Sequence, residues 1–83
     1  MQITFKLYAS LGDYLPAGAR ENTVRIKVDS GISLNRLMDQ YQVPREMAHL
    51  VLVNGIYQPP EDRDSALLND GDAVAIWPPV AGG

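Results

Sequence analysis

The chain has 83 residues, 46% of them apolar and 20% charged; that suits one small globular domain and leaves no room for a catalytic cleft between two domains. It contains no cysteine, which excludes a disulfide, a thiolate metal site and a cysteine nucleophile, so packing alone must hold the fold. Ten acidic residues face seven basic ones, a net charge of −3, and the lack of any basic run speaks against nucleic acid as a partner.

Ile3, Phe5 and Leu7 alternate with Thr4, Lys6 and Tyr8. A period of two predicts a strand with one buried face. The loop after it holds Gly12, Pro16 and Gly18, with room for a short helical turn over 10–16. Val24, Ile26 and Val28 then alternate with Arg25 and Lys27, predicting a second strand, antiparallel to the first because no long helix separates them. Ser33 is a candidate N-cap. Leu34, Leu37, Met38 and Tyr41 follow at helical spacing, with Asn35, Arg36, Asp39 and Gln40 on the other face. The expectation is a helix of roughly ten residues, ended by Pro44 and laid on Phe5, Leu7, Val24 and Ile26.

The run 50–53 is apolar and rich in β-branched residues, and Asn54-Gly55 follows at once. Asn-Gly tolerates two positive φ angles and is the strongest short hairpin signal. Ile56 and Tyr57 form its brief return strand, ended by Pro59-Pro60. The stretch 61–64 reads as a solvated charged loop: Glu61, Asp62 and Asp64 could suggest a cation site, but Arg63 stands among them and the spacing is not that of a calcium loop. His49, the lone histidine, reads as a surface or cap residue. The last strand, 73–77, carries no charge, as expected of a central strand. A hairpin, a helix crossover and a final strand beside the first make the β-grasp arrangement. The expected fold is therefore α+β, a mixed sheet of four or five strands packed on one helix, with residues 1–77 as the body and 78–83 as an extended, flexible tail.

The tail reads Pro78-Pro79-Val80-Ala81-Gly82-Gly83. Two prolines lack N–H donors and stop the sheet. Six extended residues reach about 20 Å, and their side chains shrink to nothing. That shape suits threading into a narrow channel of another protein. The terminal carboxylate is ionised at neutral pH and can attack the α-phosphate of ATP to form an acyl adenylate. Nothing in the chain supplies the catalyst: there is no phosphate loop, no dinucleotide fingerprint and no histidine pair. The carboxylate would be the substrate of a separate enzyme. Ala73, Ala75 and Trp77 share the face of the last strand opposite Val74 and Ile76. Trp77 flanked by alanines is expected to lie open for partner docking, unless a loop covers it.

Residues 69–83, with Leu68 before them, resemble the sulfur carriers of the ThiS/MoaD family, which are ubiquitin-like β-grasp proteins. Leu68, Gly71, Asp72, Trp77, Pro78, Pro79, Val80, Gly82 and Gly83 fit the family pattern, and the Pro-Pro exit most resembles the small subunit of molybdopterin synthase. The resemblance implies a carrier with no bound cofactor. A ubiquitin-activating-type adenylating enzyme (MoeB/ThiF-like) would use ATP to adenylate Gly83. A sulfur donor would convert it to a thiocarboxylate, and the tail, through Gly82, would deliver the sulfur to an acceptor such as the large subunit of molybdopterin synthase. Ala75, Trp77, Pro78, Pro79, Val80 and Ala81 are the implied partner-binding residues. A thiamine-type carrier, a ubiquitin-like modifier joined to lysines through Gly83, and a binding module with an inert tail remain open. The start of the chain lacks the apolar core of a signal peptide, and no apolar run is long enough to span a membrane. The expected setting is the cytoplasm.

Overall fold

The computed structural model describes residues 1–80. Five strands, β1 (Gln2–Leu7), β2 (Thr23–Lys27), β3 (Leu50–Val53), β4 (Ile56–Tyr57) and β5 (Ala73–Trp77), form one sheet in the order β2-β1-β5-β3-β4. One α-helix, α1 (Leu34–Gln40), packs on it. β1 pairs with β5 in parallel, and every other pairing is antiparallel. This is the β-grasp fold, and its uncharged last strand is central because it is hydrogen-bonded on both edges and can turn no side chain of its inner face to water.

The alternation in β1 reappears as burial. Ile3, Phe5 and Leu7 are sealed in the core, and Gln2, Thr4 and Lys6 point the other way. Ile26 on β2, Val51 on β3, and Val74 and Ile76 on β5 join the same core. Leu34, Leu37 and Met38 of α1 are fully buried against it, each worth about 1.5–3 kcal/mol of burial. Tyr41, just past the helix, lays its ring 5.3 Å from that of Phe5. The 3-10 turn Ala9–Tyr14 contributes Leu11 to the core.

The Ser33 side chain accepts a hydrogen bond from the Arg36 N–H at 3.2 Å, as an N-cap should. The other end of α1 differs from expectation. The helix stops at Gln40, four residues short of Pro44. Gln42 adopts φ 60°, its N–H donates to Asp39 O at 3.1 Å, and the Val43 N–H donates to Met38 O at 2.9 Å. These two bonds make a Schellman ending, closed by packing of the buried Val43 into the core. A left-handed residue, not the proline, ends the helix. Beyond it, Arg45 forks onto the Asp39 carboxylate at 3.1 and 2.7 Å. The hydrogen bond holds the Asp39 carboxyl below its ordinary range. Both groups face water, so the pair contributes little to stability.

Two polar residues assigned to solvent lie inside. Asn35 on α1 is buried, and its amide donates to Asp64 at 2.7 Å. Arg63 is only 4% exposed. The reading of 61–64 as a solvated loop holds for Glu61, Asp62 and Asp64 but fails for Arg63. Its guanidinium donates to the carbonyls of Gln58 (2.9 Å), Ala48 (2.8 Å) and His49 (3.4 Å). A buried cation must be hydrogen-bonded, and this one is satisfied by backbone rather than by a carboxylate. Among the described residues, no helix is long and apolar enough to cross a membrane.

Candidate functional site

The site is built on the end of β5 and the sheet face turned away from α1. Val74 and Ile76 point to the core, so Ala73, Ala75 and Trp77 point outward. Register then decides their neighbours: Leu50 of β3 lies opposite Trp77 and Leu52 opposite Ala75, while Tyr57 of β4 lies opposite Leu52. Leu50 and Tyr57 are exposed, and Leu52 is half-buried.

Trp77 is half-buried, covered by the first residue of the connection that follows β1. The ring of Tyr8 stacks on it, with centroids 4.3 Å apart and planes 6° from parallel. The parallel register places Leu7 beside Ile76, so the next residue of each strand shares the outward face. The Tyr8 N–H donates to Ile76 O at 3.1 Å. Ala9 follows with φ 52° and turns the chain away into the 3-10 segment. Tyr8 is thus a member of the site to which the sequence reading gave no role beyond the outward face of the first strand. Strand alternation combined with a parallel β1–β5 pairing was the signal that could have found it.

Three sets of bonds fix β5. At its start the Asn54 Oδ1 accepts from the Ala73 N–H at 2.9 Å, and the Asn54 amide donates to Asp72 Oδ1 at 2.9 Å. Asp72 Oδ2 in turn accepts from the Asn69 N–H at 2.8 Å, closing the turn that contains Gly71 (φ 86°). The hairpin residue Asn54, at φ 52°, therefore does two jobs: it makes the turn and pins the neighbouring strand. At the other end of β5 the His49 N–H donates to Trp77 O at 3.0 Å. The carbonyl of that same His49 receives the Arg63 guanidinium, so a buried cation steadies the segment from which the chain leaves the sheet.

Pro78, Pro79 and Val80 follow in no regular element. Pro78 is half-buried, Pro79 is exposed and Val80 is 77% exposed. The expected functional residues Ala81, Gly82 and Gly83 lie outside the described residues. The structure brings Ala75, Trp77 and Pro78 together beside Leu50, with the His49 backbone bonded to Trp77, while Glu61, Asp62 and Asp64 carry no contact to the exit among the described hydrogen bonds. Among the described residues no group of three or more His, Asp or Glu side chains is placed to hold a metal ion. What remains is an aromatic and aliphatic surface on a rigid strand, with the chain departing from its edge.

The profile of the ThiS family matches residues 14–83, most of the chain. The chain belongs to the ThiS family. No match was found among curated protein sequences. Among solved structures, the ThiS-family chain is similar to SAMP1 from Haloferax volcanii, with 25% identity, full coverage of both chains and a TM-score of 0.65. It is also similar to the thiamine biosynthesis protein ThiS from Geobacter metallireducens, with 19% identity, full coverage of both chains and a TM-score of 0.68. A chain of the complex of subunits 1 and 2 of the molybdopterin-converting factor from Helicobacter pylori has 19% identity, full coverage of both chains and a TM-score of 0.60. These likenesses support the β-grasp fold of the ThiS-family chain.

Proposed function

We propose that this ThiS-family protein is a sulfur carrier whose Gly83 carboxylate is adenylated by a separate ATP-dependent enzyme. The carboxylate attacks the α-phosphate of ATP and releases pyrophosphate. A sulfur nucleophile then displaces AMP from the acyl carbon, leaving a C-terminal thiocarboxylate. Gly82 and Gly83 offer the least hindered acyl group a protein has, and Pro78, Pro79, Val80 and Ala81 serve as the segment that reaches into the partner. The observation that carries this reading is the family match running through Gly83 on a chain whose preceding residues, Pro79 and Val80, stand clear of the body. The carrier binds no cofactor of its own in this scheme.

The acceptor proposed is the catalytic subunit of a molybdopterin synthase, because the Pro78-Pro79 exit resembles the small subunit of that enzyme. The partnership of subunits 1 and 2 in the Helicobacter pylori protein supports a two-protein arrangement. A second reading, conjugation of Gly83 to lysines of other proteins, is favoured by the likeness to SAMP1 of Haloferax volcanii, a small archaeal modifier protein. Both readings share the adenylated glycine and part at the next nucleophile.

Incubation with a ubiquitin-activating-type adenylating enzyme, ATP and a sulfide source is expected to raise the intact mass by one oxygen-to-sulfur exchange, located to Gly83 by fragmentation. An unchanged mass where the enzyme consumes ATP on a known carrier would sink the sulfur reading. Adducts on lysines without any thiocarboxylate would select the modifier.

A further inference from the structure

Of the asparagines Asn22, Asn35, Asn54 and Asn69, Asn54 is the one followed by glycine. That pairing carries a chemistry of its own. A glycine nitrogen can reach the amide carbon of the asparagine before it, because no Cβ stands in the way. Asn54 and Gly55 are both exposed, at the tip of the β3–β4 hairpin. A Cβ built on Gly55 would meet nothing within 4 Å, so water reaches the turn freely. Among the described residues no protein group accepts from the Gly55 N–H, which leaves its nitrogen available.

The comparable pair Asp70-Gly71 is locked at both of the groups that would react. The Gly71 N–H donates to Gln2 O at 2.7 Å, and Asp70 Oδ1 accepts from the Gln2 N–H at 2.7 Å. At Asn54 the side-chain amide alone is held. Its Oδ1 accepts from the Ala73 N–H and its Nδ2 donates to Asp72 Oδ1, both at 2.9 Å. Both amide atoms are thus committed to the start of β5, and the amide carbon meets the Gly55 nitrogen only after that clasp lets go.

We propose that Asn54 is a deamidation site gated by its clasp on β5, and that the product cannot re-form the clasp. Once the clasp opens, the Gly55 nitrogen gives its proton to water and bonds to the Asn54 amide carbon. The bond from that carbon to Nδ2 breaks, ammonia leaves, and a cyclic imide remains. Water then opens the ring at one of its two carbonyls, giving aspartate or isoaspartate, with no change of oxidation state. In the aspartate product a carboxylate replaces the Nδ2 donor opposite Asp72, and two carboxylates can only accept. Isoaspartate runs the backbone through the side-chain carbon and lengthens a two-residue turn by one atom. Either product frees the start of β5 and the turn that Asp72 closes through the Asn69 N–H. The inference concerns the folded body and is independent of what happens at Gly83.

The test ages the full chain in neutral buffer and reads each asparagine by peptide mass spectrometry, with isoaspartyl methyltransferase labelling. Asn54 is expected to convert ahead of Asn22, Asn35 and Asn69. Asp72→Ala removes the acceptor of the amide and should speed conversion about tenfold, the change in open population that one hydrogen bond to a charged group supplies. Equal rates in the parent and Asp72→Ala, or earlier conversion at another asparagine, overturn the proposal. Two further variants cover a folding defect in Asp72→Ala. Asn54→Asp should melt about 5 °C below the parent. Asn54→Asp combined with Asp72→Asn should recover the loss, because the amide then donates from the opposite side and its oxygen still accepts from the Asn69 N–H. A parental midpoint for Asn54→Asp, or no recovery in the exchanged pair, also overturns it.

Discussion

At the scale of single residues, Arg63 is the most consequential departure from a surface reading. Four charged residues in a row suggest a solvated loop, and three of them obey. The fourth turns inward because the carbonyls of Gln58, Ala48 and His49 converge where no backbone N–H reaches them. A guanidinium offers five donors in one plane and can serve all three. Arg63→Ala would leave these acceptors without a donor and is expected to cost about 3 kcal/mol of stability. Chemical denaturation of the two proteins measures it, and a loss no larger than that of Arg36→Ala would show that water replaces the guanidinium. Asn35 belongs to the same class: its partner Asp64 comes from 29 residues along the chain, a distance at which no local pattern operates.

At the scale of elements, each strand followed from local pattern, and each helix end had its own determinant. The N-terminus of α1 was legible because Ser33 acts within its own turn. The C-terminus was not, because glycine or asparagine usually marks a left-handed cap and here glutamine does so at φ 60°. Gln42 pays the steric cost of that conformation, so Gln42→Gly is expected to stabilise the protein by about 1 kcal/mol. The thermal midpoint should rise, and a fall would mean that the left-handed cap is unstrained. The hairpin at Asn54-Gly55 was legible for the opposite reason, since both its residues are ones that favour positive φ. What pattern could not show is that Asn54 also holds β5 through Ala73 and Asp72.

At the scale of the whole molecule, the parallel β1–β5 pairing makes one surface from distant segments. It sets Tyr8 on Trp77, lines up Leu50 and Leu52 beside them, and leaves Lys6, Arg25 and Lys27 on the other half of that face. The body thus presents an open apolar surface, and the proposed chemistry belongs to residues beyond it. That division predicts that Gly83→Ala keeps the parent's unfolding midpoint and folded spectrum but lowers sulfur transfer at least tenfold, an estimate for misplacing a reacting group in a fitted channel. A single-turnover assay with the acceptor enzyme reads it directly. Transfer at the parent's rate would show that the channel admits a side chain and would remove the reason for a glycine end.

The first two strands and the α1 stripe were written in the periodicities of the chain, because burial of one face imposes a repeat of two or of 3.6, and the later strands in an apolar run, an Asn-Gly turn and an uncharged segment. The expectation that the tail is reactive came from its composition and family pattern, without any help from the fold. The folded chain alone decided that Trp77 lies under Tyr8, that Arg63 is buried, and that Lys6, Arg25 and Lys27 share one face. These facts depend on which strands become neighbours and in what register, and cross-strand partners that are far apart in sequence leave no trace in the local pattern of either.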